Sequence, residues 1–125
     1  MKHERHYTLD QANAALPWVT ERIERMRTAR EDLSDTEARA ALTEAAPTNG
    51  GGAPGLVVSR AFLALREALE ELQAVEVVLR DLERGLVDFP AVRDGEEIYL
   101  CWEQGEGEIG FWHDLDTGFG GREPL

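Results

Sequence analysis

At 125 residues, 42% hydrophobic and 30% charged, the chain has the composition of a soluble globular protein and the length for one modest core. Twenty-five acidic residues against 13 basic ones leave a formal net charge of -12, a field that repels phosphate backbones and anionic membranes. No nucleic acid and no membrane is therefore expected as a partner. The single cysteine cannot form an internal disulfide, the opening MKHERHYTL has no apolar h-region, and no apolar run is long enough to span a bilayer, so a cytoplasmic location is expected.

In chain order, Thr8-Leu9-Asp10-Gln11 reads as a capping box, with Asp10 placed where a helix dipole favours negative charge. Leu9, Ala12, Leu16, Val19, Ile23 and Met26 then recur three and four apart, a heptad-like seam that predicts a helix over 8–45. Pro17 lies inside it and is expected to kink the helix or restart it near Leu16. Arg22, Arg25, Arg27 and Arg30 form a basic cluster interleaved with Glu21, Glu24 and Glu31. We expect this cluster to dock the acidic C-terminal hairpin, within the chain or across a dimer, since ten acids and only Arg93 and Arg122 follow from Asp88 onward.

Residues 46–55, with PTNGGGAPG, predict a flexible loop; the Gly-Lys-Ser/Thr ending of a phosphate-binding loop is missing. A second seam follows, from Val58 through Phe62, Leu65, Leu69, Leu72, Val75, Leu79 and Leu82 to Leu86. It predicts a second helix over 56–86, ended by Gly85. Alternation at Glu97 to Glu103 and Glu108 to Asp114 predicts a β-hairpin over 96–115, with a C-terminal turn over 116–125. A turn centred on Gly105-Glu106 pairs Trp102 with Ile109, Leu100 with Phe111 and Ile98 with His113. A slip of one residue would instead bring Cys101 and His113 onto one face.

Asp88-Phe89-Pro90, Leu100-Cys101-Trp102, Gly105-Glu106, Ile109, Trp112-His113, Gly118-Phe119 and Arg122-Glu123-Pro124-Leu125 resemble the pattern of a small prokaryotic family known as a domain of unknown function. The opening Tyr7 to Asn13 and Leu16-Pro17 are similar as well, so the resemblance covers nearly the whole chain outside Ala46 to Gly55. It implies two long helices and a C-terminal hairpin, and contributes no activity and no catalytic residues.

The chemistry-bearing residues cluster near the end. Cys101 and His113 could be nucleophile and base, with Asp114 or Asp116 as orienting group, yet a buried structural cysteine is the commoner meaning of such a pair. Asp114, Asp116 and His113 are the candidate metal ligands, with Glu106 and Glu108 nearby. An EF-hand frame fails because Gly118 stands where a third ligand belongs, and a solvated acidic edge competes. Gly118 to Arg122 could cradle an anion, but reads better as a demanding turn in which Arg122 pairs with a carboxylate. Packing accounts for Ile98, Leu100, Trp102, Ile109 and Phe111; it leaves Cys101, Glu106, His113, Asp116 and Arg122 as the candidate site.

The expected fold is mainly α: a long antiparallel helical hairpin, coiled-coil-like, carrying a small C-terminal β-hairpin and dimerising into a four-helix arrangement. The expected function is a non-enzymatic protein-interaction or oligomerisation module, acting as a homodimer or on a protein partner. The alternative is a small-ligand or divalent-metal-binding protein, or an enzyme, with its site on the C-terminal hairpin. No cofactor is expected.

Overall fold

A computed structural model describes the backbone of residues 1–42 and 53–125 and the side chains of residues 1–35 and 55–125. Helices α1 (Leu9–Leu42) and α2 (Ala53–Ala74) come first. Strands β1 (Val78–Asp81), β2 (Leu86–Arg93), β3 (Glu96–Glu103), β4 (Phe111–Asp114) and β5 (Glu123–Pro124) follow as an antiparallel sheet in the order β1-β2-β3-β4-β5. The expected order of helices before strands is present. The mainly α description with a small hairpin gives way to an α+β fold, because five strands replace two.

The capping box of α1 forms as its residues dictate: Gln11 N–H donates to Thr8 Oγ1 (3.1 Å) and Thr8 N–H donates to Gln11 Oε1 (3.0 Å). The helix continues through Pro17 without restarting. At 34 residues it is about 50 Å long, against about 33 Å for the 22 residues of α2. The expected loop over 46–55 falls mostly outside the described residues, and residues 53–55 belong to α2.

The largest correction concerns the second helix, which stops at Ala74 and not near Leu86. Val77 N–H donates to Leu72 O (3.0 Å) and Glu76 N–H donates to Gln73 O (3.0 Å), with Glu76 at φ 58°. That pair of bonds is a Schellman motif, with buried Leu72 and Val77 supplying its apolar contact. Glycine usually takes the left-handed position, so a glutamate there gave no stop signal in the sequence. Beyond it, Val75, Leu79 and Leu82 still pack against the core, but from β1 and its turns. Gly85 closes the β1–β2 turn at φ +63°, where a Cβ would lie 2.7 Å from that of Gln104.

The hairpin register is likewise one residue from the principal expectation. Tyr99 pairs with His113, Leu100 with Trp112 and Cys101 with Phe111. The tight turn is replaced by a loop over residues 104–110. In it the Trp102 indole N–H donates to Gly107 O (2.8 Å), and Ile109 N–H donates to Asn13 Oδ1 on α1 (2.8 Å). Ile109 is thereby buried outside the ladder and β4 begins at Phe111. Phe111 moves to the opposite face and Trp112 takes its place toward the helices.

The sheet thus has two covered faces. Val87, Phe89, Ala91, Ile98, Leu100 and Trp102 face Val19, Ile23 and Met26 of α1 and Ala68 and Leu72 of α2. On the outer face β2 and β3 set Asp88 opposite Cys101 and Pro90 opposite Tyr99. Proline is unusual in a central strand, but β1 begins opposite Asp88 and runs away from Pro90, and Pro90 O accepts Tyr7 N–H (2.7 Å) from the chain's N-terminal strap.

Within the chain, the basic cluster of α1 docks elsewhere than on the acidic hairpin. Arg22 and Arg25 pair with Glu21 and with Glu71 of α2, and Arg30 with Glu83. Arg27 donates to Leu82 O, Glu83 O and Gln104 Oε1, reaching the sheet through amide and carbonyl oxygens and not through the acidic side chains of the hairpin.

Candidate functional site

On the outer face, three neighbouring strands each contribute one chemically active side chain: Asp88 from β2, Cys101 from β3 and His113 from β4. Their ligand-type atoms all lie within 4.8 Å of one another, and each residue is at most 2% exposed. Cys101 and His113 come together because of the one-residue shift in register, which puts both on the face they share with Tyr99. Asp88 was missed as a site residue because the second helix was expected to run almost to it. The alternation of Val87, Phe89 and Ala91 on either side of Asp88 and Pro90 was the available strand signal.

The hydrogen bonds show how the cluster is held. His113 Nδ1 lies 2.6 Å from the main-chain carbonyl of Asp114, which can only accept, so Nδ1 carries a proton. His113 Nε2 lies 3.0 Å from Asp88 Oδ1, and Arg80 Nε donates to Asp88 Oδ2 at 2.8 Å. A second proton therefore sits between Nε2 and Oδ1. Arg122 grips Glu106 through both terminal guanidinium nitrogens, at 3.0 and 2.9 Å, and its charge acts on the Cys101 thiol. The same guanidinium lies between the Phe111 and Phe119 rings, 4.0 and 4.1 Å from their centroids. Burial pushes the Glu106 carboxyl up, but Arg122 and the Glu103 backbone N–H outweigh it and hold it below the usual range.

Of the residues named from the sequence, the fold brings Cys101, His113, Arg122 and Glu106 into one connected group. Asp114 joins it only by its carbonyl; its side chain is exposed, as is that of Asp116, and neither carboxylate reaches the cluster.

Burial pushes the Cys101 thiol up, and the charge of Asp88 and a hydrogen bond to it add to the effect, so that the group titrates at about 12 despite the opposing pull of Arg122. A thiol in that state is a poor nucleophile at neutral pH. In the folded protein, alkylation of Cys101 by iodoacetamide at pH 8 is expected to be at least a hundredfold slower than in urea. Mass-spectrometric labelling kinetics check this, and equal rates would contradict the burial.

The N-terminal strap, residues 1–6, closes the face from one side. His3 Nδ1 donates to Glu76 (3.3 Å), while His3 Nε2 accepts the Tyr99 hydroxyl (2.7 Å). Glu76, left-handed at the helix end, also accepts the Arg5 N–H at 2.6 Å, so the same residue that stops α2 anchors the strap. Glu97 accepts the Lys2 and His3 N–H groups and the His6 imidazole (2.6 Å). Burial raises the Glu97 carboxyl, but these three donors pull it down to about 2. A depressed carboxyl contributes stability above its ordinary value of 4.5 and loses it as pH falls toward 2. The amide resonances of Lys2 and His3 are therefore expected to move toward free-chain positions between pH 4.5 and 2. Unchanged shifts in an NMR titration would show the strap held by other means.

A groove of about 460 Å³, lined by residues that include Tyr7, Ala15, Trp18 and Val77, opens beside the first turns of α1 and contains none of the cluster residues. The sequence profile of the family described as "Uncharacterized conserved protein (DUF2203)" matches residues 5–125. The chain belongs to this family. No curated protein and no solved structure matches it. Among the residues that carried the resemblance, Asp88, Cys101, Glu106, His113, Phe119 and Arg122 gather on the outer face of the sheet, while Phe89, Leu100, Trp102, Ile109 and Trp112 belong to the core. No helix among the described residues is long and apolar enough to cross a membrane.

Proposed function

We propose that the protein works as a non-enzymatic, self-associating interaction module, pairing as a homodimer through α2. One observation carries this reading: Phe62 is 60% exposed and Leu69 37%, and with half-buried Val58 they form a stripe beside the core-facing side of buried Ala61, Ala68 and Leu72 and half-buried Leu65. Leu56 and Leu63 add 52% and 60% exposed apolar surface on another side of the helix. Apolar stripes of this kind mark interaction surfaces on soluble proteins. A second copy is the occupant that fits. Phe62 and Leu69 are seven residues apart, so an antiparallel crossing near Leu65-Arg66 sets Phe62 of one copy against Leu69 of the other. Charge does not oppose it: between Gly55 and Ala74 only Arg60 and Arg66 stand against Glu67, Glu70 and Glu71, while most of the net negative charge lies after Asp88.

Gel filtration with light scattering is expected to give twice the chain mass at micromolar concentration. The Phe62→Ser, Leu69→Ser double variant is expected to give a monomer with unchanged far-ultraviolet circular dichroism. A wild-type monomer would refute the reading.

A second reading, a small-ligand or divalent-metal site on the C-terminal sheet, is supported by the convergence of Asp88, Cys101 and His113 between Arg80 and Arg122.

A further inference from the structure

We infer that Asp88, Cys101 and His113 form a binding site for a borderline transition-metal dication of the zinc, cobalt or ferrous class, with three protein ligands and a fourth coordination position left for water or a small molecule. The assignment rests on the second reading above and narrows it to one chemistry.

Two of the three side chains are held by their other polar atom. His113 spends Nδ1 on a main-chain carbonyl, which fixes the ring and aims Nε2 at Asp88. Asp88 spends Oδ2 on Arg80, which fixes the carboxylate and leaves Oδ1 facing Nε2. Cys101 is fixed by its place in the middle of β3, opposite Asp88 on β2 and two positions from Tyr99, the partner of His113. The charge of Arg122, clamped by Glu106 and two phenylalanine rings, favours its thiolate. Metal-binding histidines and carboxylates are oriented by such outer hydrogen bonds, so each residue here offers one atom to a shared centre, and His113 and Asp88 already hold their outer support.

The point between Nε2 and Oδ1 is occupied by a proton. A dication can take its place, releasing that proton and the thiol proton, and the two resulting anionic ligands balance its charge. Ligand atoms around a tetrahedral zinc or cobalt ion lie about 3.3–3.7 Å apart, from bond lengths of about 2.0–2.3 Å. The present limit of 4.8 Å and the 3.0 Å Nε2–Oδ1 distance require side-chain adjustments of about 1 Å, with the strand register unchanged. One thiolate, one imidazole and one carboxylate suit zinc, cobalt or ferrous iron; magnesium and calcium prefer oxygen donors, of which the cluster has one. Three protein ligands with a vacant fourth position is the arrangement of reactive rather than purely structural zinc.

Full-length protein stripped with chelator and titrated anaerobically with cobalt(II) tests this. One equivalent per chain is expected to bind, with visible bands of tetrahedral cobalt and a near-ultraviolet thiolate-to-cobalt band that zinc then bleaches. Cys101→Ser should lose the thiolate band, and His113→Gln should weaken cobalt binding at least a hundredfold. Near-ultraviolet circular dichroism of Cys101→Ser, a nearly isosteric change, reports whether that variant is folded. Wild-type protein that takes up neither cobalt nor zinc overturns the assignment, as does a thiolate band that survives in Cys101→Ser. The broader reading is separated by a parallel NMR titration with inorganic phosphate. If metal fails but phosphate shifts the Tyr99 and His113 resonances, the metal assignment is overturned and a ligand site between Arg80 and Arg122 stands. Indifference to both overturns both.

Discussion

Replacing Asp88 by alanine is expected to destabilise the metal-free protein by about 3–5 kcal/mol, the range for breaking a buried charged network by removing one member. Asp88 is 1% exposed and accepts from Arg80 and His113 at once. Without it the proton on the Nε2 side of His113, itself 2% exposed, has no acceptor on that line. The cavity left by the carboxylate adds to the cost. Arg80→Ala should cost far less, under about 1 kcal/mol, because the Arg80 side chain is 41% exposed and much of its interaction is screened by water. Asp88→Asn should fall between them, since its amide oxygen can still accept from Nε2 while its NH₂ faces Arg80. Urea unfolding of the three variants in chelator gives the order directly. An Asp88→Ala midpoint within error of wild type would mean that the network carries no net stability.

Phe89→Ala is expected to cost a similar amount, about 3–5 kcal/mol, by a different mechanism: lost transfer energy and an unfilled cavity. Phe89 is fully buried on the helix-facing side of β2, pairs across to Leu100, and meets the Tyr7 ring edge-on with centroids 5.3 Å apart. Tyr7 is tied to Pro90 O by its N–H and to Val75 O by its hydroxyl, so it cannot easily collapse into the space. For a chain of this length the loss corresponds to a fall in Tm of roughly 10–20 °C. Phe62→Ala is the control. Phe62 belongs to the seam that led to a helix over 56–86, yet at 60% exposure its loss should barely change monomer stability while weakening self-association. Equal stability losses at Phe62 and Phe89 would contradict the division of the apolar residues into one covered and one open face.

Local patterns in the chain were enough for the start of α1, where Thr8 and Gln11 cap each other, for two helices preceding strands, and for β3 as an alternating run. They also identified most of the outer-face group, since Cys101, Glu106, His113 and Arg122 are polar or reactive residues that a packing pattern leaves over. Each of these readings depends on residues near one another in sequence or on residue type alone. Tertiary structure decided the remainder. The end of α2 rests on a left-handed Glu76, tolerated while its carboxylate holds a strap some 70 residues away in sequence. The register of β3 and β4 rests on a loop pinned by the Trp102 indole and by Asn13, 96 positions before Ile109. Side chains alternate along a strand, so that single step chose which of Phe111 and Trp112 faces the helices. It also set His113 beside Cys101, and β2 brought Asp88 to meet them. Periodicity shows that a strand has two faces; only long-range contacts determine which residues share one.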